Sequence, residues 1–342
     1  MDKDLIAGKE RIVELLIEAG EKNLDEETIK QLPTWEEVTA LYGDKPRIYG
    51  LDQCDKFQKS GDAGEHFATV AGAFNSGTNL MSELLIYNCH MPERMKKYGP
   101  RQRGIRWQVP WGKHNPPSDY RGGRQTYKEE NYLPENVMPA VTIKDPYAWM
   151  GSMCRHTYGG HWRHFPEHCP NLIPNQVDID NAHSRVINGV EGVDVKTLKF
   201  DPHAKTVPMR IDYQSTSVHH DSMAHFWNEW YAEYFDADFP RLMVRFEDLV
   251  FHAKEVTETV CKCAGGELNR GGFQYITESA KRGPGQHGAE RTGLLSAILK
   301  YGNDKDRYNG FTKDDLQFAH KTLDRRMIEF FKYNDPPSAL LE

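Results

Sequence analysis

The chain has 342 residues, 43 Lys and Arg against 50 Asp and Glu, and a net charge of −7, a balance that argues against a broad surface for nucleic acid or anionic membrane. Any phosphate site must therefore be local. A hydrophobic fraction of 38% with 15 Phe, 16 Tyr and 7 Trp supplies a core large enough to exclude disorder, and no run reaches the about 18 consecutive apolar residues of a membrane span.

Residues 3–42 have a helix-forming composition, with Leu5, Ile12, Leu15 and Leu16 at helical spacing and Pro33 expected to break the segment into two helices. A polar linker over 55–65 leads into HFATVAGAFNSGTNLMSELLIYNC, which reads as strand, tight turn, helix. Residues 92–136, rich in Pro, Gly, Arg and Trp, are predicted as long loops over a site. VMPAVTIKDPYAWMGSMCRHTY repeats the strand, turn, helix order, with the turn at Asp145-Pro146. Residues 160–220 are predicted to be loop-rich, 221–238 a helix leading into the strand Leu242 to Phe246, and the tail from Thr312 a helix with Leu316, Phe318, Ala319, Leu323, Ile328 and Phe331 inward. Three strand-to-helix units imply an α/β fold with a central parallel sheet flanked by helices over residues 61–342, preceded by a helical N-terminal extension over 1–60.

The opening MDKDLIAGKERIVELL lacks the basic region and apolar run of a signal peptide, so the expected compartment is the cytosol. Six cysteines (Cys54, Cys89, Cys154, Cys169, Cys261, Cys263) are too sparse and irregular for a secreted framework and are expected to be reduced.

The sharpest chemical signal is Gly72-Ala73-Phe74-Asn75-Ser76-Gly77-Thr78-Asn79, at a predicted strand end. Small residues allow a tight turn, and the exposed N–H groups with the following helix N-terminus form an anion cradle. The glycine spacing is that of a nucleotide P-loop, but Thr78 stands where such a loop carries Lys, which weakens an ATPase or kinase reading.

These segments resemble the sulfotransferase family. Ser76-Gly77-Thr78-Asn79 fits the family's S-G-T element for the 5′-phosphosulfate. Lys144-Asp145-Pro146 followed by Ser152 has the spacing of its R-[DN]-P element with a Ser eight residues on, which holds the 3′-phosphate, with Lys in place of Arg. Phe246-Glu247-Asp248-Leu249 is similar to its [YF]-E-D-L segment, and Arg291-Thr292-Gly293 to the R-x-G loop that closes over the 3′-phosphate. The resemblance spans about residues 68–293 and implies a P-loop-like fold with 3′-phosphoadenosine-5′-phosphosulfate (PAPS) as co-substrate and no metal. It also implies a small-molecule or carbohydrate acceptor, without nucleic acid or membrane as partner.

The family usually has Lys or Arg where this chain has Asn75, a cation that stabilises charge on the departing phosphate. Lys113, in Trp111-Gly112-Lys113-His114-Asn115-Pro116, resembles the Lys of the family's K-x-H-x-P segment and could supply that charge. His114 is then the candidate general base, with Asn75 as hydrogen-bond donor and Glu65, Glu83 and Asp119 as alternative bases. His156, His161, His164, His168 and Cys169 are zinc-type residues without a closed spacing, and read as a polar lid. Arg155 and His156 are expected to flank the cofactor site, and Cys261-Lys262-Cys263 to be a packed element. Two other readings remain: a nucleotide or sugar kinase with Glu247 or Asp248 binding Mg²⁺, and a binding protein without chemistry. Oligomeric state and acceptor are not encoded in these motifs.

Overall fold

In the computed structural model, the first segment forms three short helices, α1 (Glu10–Glu18), α2 (Glu26–Gln31) and α3 (Trp35–Tyr42). Asp25 caps α2, and Thr34 with Glu37 makes a capping box on α3, so both starts are satisfied locally and Pro33 falls in the break between them. The structure describes residues 4–21, 24–122, 132–165, 168–180, 186–187, 190–191, 203–213, 216–278 and 293–342. Among them, no helix is long and apolar enough to cross a membrane.

The chain divides into two compact units. The first comprises Met1–Lys144, Glu233–Asp304 and Phe330–Lys332, and the second Asp145–Ala232, Lys305–Glu329 and Tyr333–Glu342. In the first, a four-stranded sheet has the strands β1 (Ile48–Tyr49), β2 (Phe67–Gly72), β3 (Val137–Ile143) and β4 (Leu242–Arg245), in the order β1-β4-β3-β2. β2 and β4 both run parallel to β3, with Gly72 opposite Thr142 and Arg245 opposite Ile143. Their residues are buried throughout, which is why the sequence shows apolar runs instead of alternation.

The sheet is mixed, not wholly parallel as the sequence suggested: β1 pairs antiparallel with β4. β1 precedes the first strand-to-helix unit, so no crossover dictates its direction. Alternate residues of three strands, Ala68, Val70, Met138, Ala140, Leu242 and Val244, form one core with α4 (Thr78–Asn88) and α6 (Ala253–Cys263). The N-terminal helices contribute Ile12, Val13, Leu16 and Val38 to a second core shared with Val250 and Phe251 of α5 (Phe246–Phe251) and with Leu294 and Ile298 of α7 (Leu294–Tyr301). Burying such side chains stabilises the fold by about 1.5–3 kcal/mol each, so this segment is an integral wall of the first unit.

The second unit holds the helix Pro146–Arg155, capped by the Asp145 side chain on the Ala148 N–H. It also contains a three-stranded antiparallel sheet of Gly160–Trp162, Met209–Asp212 and Ser217–His220, within the segment read from sequence as loop-rich. Those strands have three or four residues each, so their alternation of burial covers too few positions to stand out in the sequence. The tail helix Lys313–Thr322 begins with a capping box of Thr312 and Asp315.

The cysteines overturn the expectation of reduced thiols. Disulfides join Cys54 to Cys263 and Cys89 to Cys261 in the first unit, and Cys154 to Cys169 in the second, leaving no free cysteine. Sequence spacing misled because pairing depends on distance in space, and two of these pairs are 209 and 172 residues apart in the chain.

Candidate active site

The carboxyl ends of the three parallel strands carry the motif residues. β2 ends at Gly72, where a β-carbon would collide with the hydroxyls of Thr142 and Ser76, so only glycine allows the strands and the turn to close this tightly. The Ser76 hydroxyl donates to the Ala73 carbonyl at 2.7 Å and lies 2.9 Å from the Thr142 hydroxyl, pinning the loop to β3. Asn75 adopts a positive φ of 61°, which Asn tolerates better than most residues. Gly77, with φ 90°, is the N-cap of α4 and packs so closely on the Phe246 ring that a β-carbon would overlap it. The first turn of α4 contains no acidic residue, so the helix dipole meets the loop with its positive end uncompensated by that turn.

Lys113 and His114 are brought to this loop. The Gly72 N–H donates to the Lys113 carbonyl at 2.8 Å, and the Lys113 ammonium donates to Asn79 Oδ1 at 2.6 Å while lying 4.7 Å from the Trp107 ring centroid. His114 Nδ1 is 2.7 Å from the Gly72 carbonyl oxygen, and its ring sits 4.5 Å from that of Phe74. A carbonyl only accepts, so Nδ1 carries the proton and, in the neutral ring, Nε2 holds the basic lone pair.

Lys144 follows the last residue of β3. It is 2% exposed, donates to the Tyr301 hydroxyl at 2.7 Å, and lies 4.6 Å and 4.3 Å from the Phe246 and Tyr301 ring centroids. Gly293 is the N-cap of α7, and the Leu294 N–H donates to the Thr277 carbonyl at 2.9 Å. Arg291 and Thr292 lie outside the described residues. Ser152 belongs to the second unit, where its hydroxyl donates to the Ala148 carbonyl and accepts from Arg155 Nη2, both at 2.9 Å.

The other candidates disperse. Asp248 is gripped by Arg245 through two hydrogen bonds of 2.6 and 2.7 Å and accepts a third from the Arg47 N–H, so its carboxylate holds the fold together. Glu65 is paired with Lys97 at 2.5 Å, Glu83 is buried within α4, and Asp119 lies in the short helix Pro117–Tyr120. His161 pairs with Asp212 at 3.0 Å. Burial depresses the pKa of His164 to about 4, and Cys169 is in a disulfide. His168 is buried between Asp178 and Asp315, at 3.3 and 2.7 Å. Among the described residues no three His, Cys, Asp or Glu side chains gather as a metal site.

Sequence reasoning missed Thr142, Trp107 and Tyr301, which brace the loop, Lys113 and Lys144 respectively. Thr142 was readable in principle, as the β3 residue two positions before the motif; Tyr301 sits 157 residues from Lys144 and carries no local signal. Comparison of the chain with family models, with curated proteins and with solved structures yields no match.

Proposed function

We propose that this chain transfers a sulfuryl group from PAPS to a hydroxyl or amine of a small-molecule or carbohydrate acceptor. The observation that carries the reading is the convergence, at the carboxyl ends of three adjacent parallel strands, of the Gly72–Asn79 cradle, Lys113 with His114, and Lys144. Crevices at such strand ends are where open parallel sheets bind nucleotides. The Gly77, Thr78 and Asn79 backbone and the α4 N-terminus hold the 5′-phosphosulfate, Ser76 fixes the loop against Thr142, and Asn75 donates a hydrogen bond. Lys113, tied to Asn79, supplies the charge that Asn75 lacks. Lys144 takes the 3′-phosphate; the parallel roles of Ser152 and Arg291 rest on the motif alone.

In the transfer, the acceptor atom forms a bond to sulfur as the bond from sulfur to the bridging phosphate oxygen breaks. That oxygen leaves with the electron pair on 3′,5′-phosphoadenosine. His114 Nε2 receives the acceptor's proton, and Lys113 stabilises the charge on the leaving phosphate, so catalysis is positioning plus electrostatics. The kinase reading loses one of its two Mg²⁺ candidates, because Asp248 is already held by Arg245, and keeps Glu247.

A thermal-shift titration with 3′,5′-phosphoadenosine, ADP and ATP with Mg²⁺ tests the assignment. A ligand at about 100 times its Kd stabilises the fold by about 2.7 kcal/mol, and that gain is expected from the 3′-phosphorylated nucleotide alone. A response confined to ATP with Mg²⁺ would replace this reading with the kinase.

A further inference from the structure

Every cysteine of the chain is half of a disulfide. We propose that the protein folds and works in an oxidising compartment, a secretory lumen or the cell exterior, with all three disulfides as permanent structural bonds. In a reducing cytosol, glutathione and thioredoxin keep such pairs open, so a complete set of bonds belongs to the other environment. The proposal departs from the cytosolic expectation drawn from the opening residues.

The bonds are built into the packing. Cys89, Cys261 and Cys263 belong to the sheet core, with Cys54 packed against it. Cys261 and Cys263 stand two positions apart on α6, so their sulfurs leave different sides of the helix, toward Cys89 on one side and Cys54 on the other. A β-carbon on Gly266 would lie 2.9 Å from the sulfurs of both Cys89 and Cys261, so the backbone there approaches the disulfide as closely as glycine permits. Cys89 directly follows α4, whose other end forms the cradle, and its bond to Cys261 anchors that helix to α6. A redox switch needs an accessible, reactive thiol and a resolving partner; Cys89 and Cys261 are fully buried, which rules that role out for their bond, and no thiol is left over to resolve the others.

Thiol trapping of the full chain in its own cells tests the proposal. The protein is quenched in acid, denatured and alkylated with N-ethylmaleimide before any reduction, then weighed intact. No label is expected before reduction and six labels after it, with peptides linked 54–263, 89–261 and 154–169. Label on any cysteine before reduction overturns the proposal. So does protein made in a reducing cytosol whose six free thiols leave the melting temperature unchanged, since losing these cross-links should lower it by about 10 °C or more. Neither readout depends on nucleotide binding.

Discussion

The loop at Gly72–Asn79 and the cluster around His168 both concentrate polar groups, but they satisfy them in opposite ways. At the loop, Lys113 and His114 are held by an amide oxygen, a backbone carbonyl and ring faces. At His168, an imidazole is enclosed by Asp178 and Asp315, both fully buried, and Asp315 also accepts from the Leu172 and Ile173 N–H groups and from Thr312. The second arrangement closes its charge upon itself and ties the 160–180 segment to the tail helix. The first sets the N-terminus of α4 beside the Lys113 ammonium. Substitutions at the loop should therefore cost binding first, and substitutions at the cluster should cost stability first.

The largest effect is expected from Asp315→Ala, which takes one of its two carboxylates from buried His168, leaves the Leu172 and Ile173 N–H groups without that acceptor and removes the Asp315 half of the Thr312 capping box. Breaking a buried pair in this way costs about 3–5 kcal/mol, to be read from urea unfolding. A loss under about 1 kcal/mol would erase the contrast.

The pH dependence follows from the same cluster. Burial alone would lower the His168 pKa, but the hydrogen bonds and charges of Asp178 and Asp315 outweigh it and raise the value to about 9. An unfolded His releases its proton near pH 6.5, so the folded state holds the extra proton between those values. This stabilisation is complete below pH about 6.5 and fades as pH rises through about 9. Urea midpoints measured across that window should fall with increasing pH in the parent protein and lose that slope in His168→Gln.

A smaller effect is expected from Gly77→Ala, which forces a side chain into a positive φ and against Phe246. Strain of this kind costs about 1–3 kcal/mol. The contrast sharpens if nucleotide affinity falls by more than this loss of stability accounts for, with the two read by calorimetry and by urea unfolding.

How much was legible in the sequence follows the same division. The cradle is eight consecutive residues whose turn chemistry is local, and β2, β3 and their following helices were read correctly. The spacing of Lys113 and His114 from the loop gave no distance, yet the motif order placed them beside it. The His168 cluster was read only as a polar lid or weak zinc candidate, because its decisive partner, Asp315, lies 147 residues away. Two of the three disulfides were missed for the same reason, while the Cys154–Cys169 pair is only 15 residues apart and was passed over because the cysteines as a set were read as reduced. The short strands of the second unit and the antiparallel β1 fell below the length at which periodicity speaks. Satisfaction of buried charge depends on partners distant in the chain, whereas a glycine turn is written in consecutive residues.

The central claim is that Lys113 supplies at the cradle the charge that Asn75 does not. It is tested most directly by calorimetric titration of the parent chain and Lys113→Ala with 3′,5′-phosphoadenosine. The account expects Kd to rise at least about tenfold, about 1.4 kcal/mol, with the unliganded melting temperature unchanged, because Lys113 is a half-buried loop residue outside both cores. Equal affinity in the two proteins, or no binding heat in the parent, would contradict it.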